Sequence, residues 1–360
     1  MTRLTTQLVQ PETLAASRTL SGLLTGLEAG PVLSWGLLEV VALRLATAED
    51  DLAARREFAS PEEHLKLVQV PTYGTVVLRN TSPEHRLIVP MHIGFFQPGA
   101  QNHATSRALV LEAGETLSVN DCFCIQASQG GLLKEAQQRF VMLPLGLRQY
   151  ALAKRHTQGF SRLWADIDGY TRQCGLATGG HLERFLRPNF DQLLPLRHAL
   201  EAVPDQVGAA YFVAGRLAGV EVMPNETCWQ EMSPILAIYC YGPEALRAER
   251  RGYQRVSEPL DLECLADLEN LAHRLHNVRA REAKQRTDIV NELAALVFDQ
   301  QVDEDRHGLR IATLGFSPWQ GQAVRDREYR VPRRQVVYAS VFRDVISQLG
   351  HDRRQSPEAN

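Results

Sequence analysis

Val207-Gly-Ala-Ala-Tyr-Phe-Val-Ala-Gly-Arg-Leu-Ala-Gly-Val-Glu-Val-Met223 is the stretch whose reading decides the fold class. Two apolar runs flank Ala214-Gly215, a spacing that predicts a tight antiparallel hairpin. Upstream the period is helical, with segments at Leu145 to Arg155, Phe160 to Cys174 and Phe190 to Val203. Farther upstream, short alternating runs predict strands at Lys66 to Val70, Thr75 to Asn80, Arg86 to Pro90, Arg107 to Leu111, Thr116 to Val119 and Cys122 to Gln126. Turn formers such as Asn80-Thr-Ser-Pro83 and Glu112-Ala-Gly-Glu115 separate these runs, which suits a β-meander or one layer of a sandwich.

Downstream of the hairpin, Thr227 to Tyr239 and Pro243 to Arg250 read as helices, and the longest helical stretch runs from Leu260 to Phe298. There Leu265, Leu268, Ala272, Leu275 and Val278, then Ile289, Leu293 and Leu296, recur every three or four residues and mark one buried face. Strands at Leu309 to Leu314 and Gln335 to Phe342 follow, with a loop carrying Pro318, Trp319 and Gly321 between them. The chain is therefore read as α+β: a mostly antiparallel β-sheet or sandwich layer covered by helices, with a long amphipathic helix near the C-terminus. Residues 19–348 are read as a single domain, with polar tails at 1–18 and 349–360.

Composition narrows the class. Hydrophobic residues make up 44% and charged residues 22% of the 360, which suits a packed domain and not a disordered chain. A formal net charge of -3 supplies no overall positive field, so neither nucleic acid nor an anionic membrane is expected as a partner. The apolar stretch Pro31 to Ala46 contains Trp35, Glu39 and Arg44 and is too short for a membrane span. Met1 to Ala16 lacks the apolar core of a secretory signal, and six cysteines spread thinly over the chain suit reduced thiols, so the expected location is cytoplasmic.

Gly99-Ala-Gln-Asn-His103 is the most distinctive polar cluster, setting two amides and an imidazole between β segments. Gln101, Asn102 and His103 can converge on a ligand, since amides donate and accept together; equally, they can satisfy backbone groups in a bend. Glu221 ends an apolar strand, as a carboxylate facing either a cleft or water. Cys122 and Cys124 point to one face of a strand and, without a second pair, read as buried structural thiols. His273 and His276 lie three apart on the long helix near Glu269, which is not the zinc-protease pattern, so no metal is assigned. The run from Arg279 to Arg286 reads as a solvated helix face, and no phosphate loop, dinucleotide fingerprint, nucleophile elbow or cofactor motif occurs.

Two blocks of residues also carry a family resemblance. The first is Thr75-Val-Val-Leu-Arg-Asn80, Gly99-Ala-Gln-Asn-His103, Ala108-Leu-Val-Leu-Glu-Ala-Gly114 and Val119 to Cys124; the second is Val207 to Met223 with Trp229 and Tyr239. Over about Leu20 to Arg247 the chain resembles the first type of the ARG-and-rhodanese-phosphatase-superfamily-associated protein domain, ARG standing for ADP-ribosylglycohydrolase. It departs from the family's pattern at His103, where Arg is usual, at Gln126, where Glu is frequent, and at Gln129-Gly130, where Arg-Trp is usual. The resemblance implies an α+β fold and a place in NAD or ADP-ribose metabolism, without supplying a reaction.

Two functions follow as expectations. One is a non-enzymatic binding or scaffold component of a bacterial system linked to NAD/ADP-ribose metabolism or stress, with a nucleotide-type ligand or a protein partner and no cofactor. The other is an enzyme acting on ADP-ribose or a related phosphorylated nucleoside through Gln101, Asn102, His103 and Glu221.

Overall fold

The computed structural model describes residues 24–128, 138–253, 271–293, 298–327 and 336–345. The two tails, Cys264, Gln129-Gly130 and residues 260–270 and 294–297 of the long helical stretch lie outside the described residues. The decisive hairpin is β13 (Gln206–Val213) and β14 (Arg216–Val222), closed by Ala214 and Gly215 at φ 49° and 78°. Two consecutive left-handed residues make the turn whose twist matches paired strands.

That hairpin is the middle of an eight-stranded, fully antiparallel sheet. On one side lie β2 (Leu38–Leu45) and β1 (Leu27–Trp35). On the other lie β18 (Val336–Phe342), β17 (Trp319–Asp326), β16 (Leu309–Phe316) and β15 (Asp299–Arg306). Both faces of the hairpin are buried, which is why its sequence is apolar without alternation. Ala209, Tyr211 and Val213 join the larger core cluster, while Ala210 and Phe212 join a second cluster on the opposite face with Val290 and Phe298.

Val290 belongs to α9 (Leu271–Leu293), which covers the second face. Arg279, Arg281 and Lys284 on it are exposed as a solvated face requires, but Arg286 is buried. Its Nε donates to Glu39 Oε2 at 3.1 Å and its guanidinium lies 5.6 Å from the Phe212 ring centre. The solvated reading of the Arg279–Arg286 run is corrected at this position, because a helix resting on a sheet turns every third or fourth residue inward.

The first face carries α3 (Leu145–Ala153), α4 (Trp164–Gln173), α5 (Leu182–Leu193), α7 (Glu226–Ile235) and α8 (Gly242–Arg250), with a π-helical segment, Leu236–Tyr241, between the last two. Short α1 (Ala48–Arg55), α2 (Pro61–His64) and α6 (Leu196–Ala199) fill the edges. The alternating region forms three small sheets. They are β4 (Leu65–Thr72), β5 (Thr75–Asn80) and β10 (Thr116–Val119); β7 (Ile93–Phe96), β8 (His103–Ala104), β11 (Phe123–Cys124) and β12 (Arg139–Met142); and β3 (Phe58–Ala59), β6 (Arg86–Val89) and β9 (Leu109–Leu111). Only the β3–β6 pair is parallel among the described residues. The described cysteines, Cys122, Cys124, Cys174, Cys228 and Cys240, are buried free thiols, and no described helix is long and apolar enough to cross a membrane.

The loop expected around Trp319 and Gly321 is instead strand β17. Gly321 permits its close approach to β18: a Cβ there would collide with the Ser340 carbonyl and lie 2.7 Å from Val341 Cα. Gly321→Ala is expected to cost about 1–3 kcal/mol through backbone displacement, seen as a lower urea midpoint. An unchanged midpoint would show that the two strands part freely.

Candidate functional site

The structure divides the four sequence-predicted residues between two buried sets. Gln101, Asn102 and His103 lie at the entry to β8, and Glu221 lies on β14; each is at most 1% exposed. Gly74, Gln97, Gln126 and Glu183 hold the bend, and Arg148 and Tyr241 hold Glu221.

In the bend, Gln101 Nε2 donates to the Gln126 carbonyl at 2.6 Å and Asn102 Oδ1 accepts from the Gln97 amide at 2.8 Å. Asn102 Nδ2 donates to Glu183 Oε2 at 3.1 Å, tying the bend to the first turn of α5. His103 Nδ1 lies 2.9 Å from the Gln101 carbonyl, which can only accept, so the ring proton sits on Nδ1. Its Nε2 accepts from the Gly74 amide at 3.0 Å and faces Cys124 Sγ at 3.1 Å. Burial pushes the His103 pKa down to about 4, with the Gln101 carbonyl pulling the other way, and pushes the Cys124 thiol up to about 12. The pair is thus a neutral imidazole beside a thiol, the reverse of the thiolate a nucleophile requires.

Around Glu221, the sequence had suggested a carboxylate at a strand end. It is instead paired with a residue that sequence reasoning passed over: Arg148, in the middle of α3 and wholly buried, donates from Nη1 to Glu221 Oε1 at 2.5 Å. Its Nη2 donates to the Ser340 hydroxyl, and Ser340 sits opposite Glu221 across the β14–β18 ladder. Tyr241 Oη donates to the same Glu221 oxygen at 2.7 Å and its ring stacks on Tyr211 at 3.9 Å between centres. Burial and the Glu221 charge hold the Tyr241 hydroxyl protonated. The one available signal was an arginine inside the apolar run Leu145-Gly-Leu-Arg-Gln-Tyr-Ala-Leu-Ala153.

The π segment connects this interior to a surface. While Cys240 and Tyr241 turn toward Arg148, Tyr239 helps line a groove formed with β12, α5 and α7. An added residue per turn, as in a π bulge, is a known way to re-aim neighbouring side chains. The Arg139 guanidinium lies 4.8 Å from the Phe190 ring centre, and Phe190 stacks on Tyr239 at 6.3 Å and 23°. These three residues line two adjoining cavities of about 450 and 390 Å³. Lys66 and Arg197 add positive charge to the first, and Arg187 to the second; Glu62 and Glu231 lie in the first, and Glu183 and Asp191 in the second. Glu183 brings the buried bend to the groove wall, since it is the acceptor of the Asn102 amide.

His276 is exposed on α9, while the side chain of His273 lies outside the described residues. Among the described residues no three His, Cys, Asp or Glu are grouped to hold a metal ion.

Residues 27–312 match the family model described as ARG and Rhodanese-Phosphatase-superfamily-associated Protein domain. Comparison with curated proteins and with solved structures finds no match. The family match runs past Arg247, where the motif resemblance stops, into β16. The chain belongs to this family.

Proposed function

From that membership, we propose a non-enzymatic binding domain whose groove takes a nucleotide-type ligand of NAD/ADP-ribose metabolism or a linked stress response. The observation that carries this reading is the Arg139–Phe190–Tyr239 stack shared by two adjoining cavities. Aromatic walls suit a planar base, and guanidinium and ammonium groups suit phosphate oxygens. A groove with one lobe on each side of the stack suits a ligand built of two halves joined by phosphates. The family's name, which pairs it with the ARG and rhodanese-phosphatase superfamilies, supports the same metabolic neighbourhood. In this reading Asn102 acts through Glu183, positioning a groove carboxylate without touching ligand.

The enzyme reading needs His103 or Glu221 at a substrate, and both are sealed by packed side chains with their charges or lone pairs already used. Calorimetric titration of the full chain with ADP-ribose, NAD and AMP tests the proposal. ADP-ribose is expected to bind, and Arg139→Ala to weaken it about 10- to 100-fold, as loss of a charged hydrogen bond does. Silence from all three nucleotides would sink the nucleotide ligand and leave the groove to a protein segment.

A further inference from the structure

A further cavity, of about 420 Å³, lies between α3, α4 and α8, away from the groove and sharing no lining residue with it among the described residues. Its size falls within the roughly 300–1,000 Å³ of small-molecule sites. At its mouth Tyr150 is 48% exposed. Deeper in, Tyr170 and Arg247 are buried, with the guanidinium 5.4 Å from the Tyr170 ring centre. Arg247 donates from Nη1 to Glu244 Oε2 at 3.2 Å and from Nη2 to the Gln173 amide oxygen, while its buried Nε has no hydrogen-bond partner among the described residues. Glu244 is itself buried, accepts from the Gly146 amide at 3.0 Å, and has its carboxyl pushed up by burial.

Arg247 and Arg251 line the cavity together with Asp166 and Asp344, and Lys154 binds Asp166 from beside it. A wall whose buried guanidinium is already bound by Glu244 offers an anion little net charge. It does match a neutral molecule bearing several hydroxyls, because each hydroxyl gives a proton to a carboxylate while accepting one from a guanidinium or amide. Tyr150 supplies a flat apolar platform with a polar tip, against which the C–H face of a saturated ring can lie. From the exposed tyrosine, the two lining carboxylates, and the buried arginine with an unused donor, we infer that this cavity binds a neutral cyclic polyol, that is, a sugar ring. The inference is independent of the nucleotide groove.

Gly169 offers a clean test. It lines the cavity, and a Cβ built on it meets nothing within 4 Å, so Gly169→Leu fills the space without displacing the core. The change also replaces glycine within a helix, which favours folding. Saturation-transfer NMR on the full chain, with D-glucose and D-ribose as probes, should show transfer to ring C–H protons. Transfer is expected to vanish in Gly169→Leu, to weaken about tenfold in Tyr150→Ala, and to persist in Arg139→Ala. Absence of transfer in the native chain, or transfer that Gly169→Leu and Tyr150→Ala both leave intact, overturns the assignment. Displacement of the sugar by equimolar inorganic phosphate would assign the cavity to an anion and overturn it as well. Should Gly169→Leu fail to fold, Tyr150→Ala alone decides, since its ring is half outside the packed interior.

Discussion

Arg148→Met is expected to lower the free energy of unfolding by about 3–5 kcal/mol. The substitution keeps a long unbranched side chain in the core but strands the Glu221 carboxylate, which is 1% exposed and retains only the Tyr241 hydroxyl of the partners described above. It also removes the donor to Ser340 and the guanidinium lying 4.5 Å from the Phe342 ring centre. Burying an unpaired charge is costly, whereas replacing both members of a buried pair by apolar groups is often close to neutral. Arg148→Met combined with Glu221→Leu should therefore recover at least half of the loss, the remainder reflecting the Tyr241 hydroxyl left without its acceptor. Urea denaturation of the native, single and double variants provides the comparison. If Arg148→Met folds with native stability yet no longer binds ligand, the pair is part of a site and not a clamp between α3 and the central sheet.

That pair also marks the limit of what could be read without coordinates. The hairpin at Val207–Met223 was legible because its turn is local chemistry: Ala214-Gly215 accepts left-handed angles, and the flanking runs are apolar on both faces. Thr75–Asn80 and Thr116–Val119 were legible to the residue because alternation follows the pleat. Their partners were not, since β5 pairs β4 and β10 while β6 pairs β9, and pairing is decided by distant burial. β2 escaped because a strand buried on both faces shows no alternation, and β15, Asp-Gln-Gln-Val-Asp-Glu-Asp-Arg, because an exposed edge strand tolerates charge. The amide-and-imidazole bend could be singled out by composition, yet whether its groups face a ligand or the backbone depends on what covers them. Here Gly74, Gln97, Gln126 and Glu183 do. The groove residues Arg139 and Phe190 carry no local signal, since an arginine starting a strand and a phenylalanine in a helix are ordinary until the fold stacks them.

The second large effect is on acid stability, and it comes from the imidazole in that bend. His103 is buried as the neutral ring with its pKa pushed down to about 4, against about 6.5 when the chain unfolds. Between those values the unfolded chain binds a proton that the folded chain does not, so stability rises with pH and is lost as pH falls from about 6.5 toward 4. Integrating the two titrations gives a loss of about 2 kcal/mol between pH 7.5 and 5 and about 3 kcal/mol by pH 4. His92 acts in the same direction: burial first, and the Arg148 charge second, hold its pKa well below the usual value. The window from pH 7.5 to 5 is the useful one, because carboxylates with ordinary pKa values stay largely ionised there. His103→Gln keeps an acceptor for the Gly74 amide and a donor for the Gln101 carbonyl but cannot titrate. Its unfolding free energy, measured in urea across that window, should fall by about 2 kcal/mol less than that of the native chain. Parallel pH profiles for the two proteins would mean that the ring charges in place, through an opening of the bend that lets water or a ligand reach Nε2.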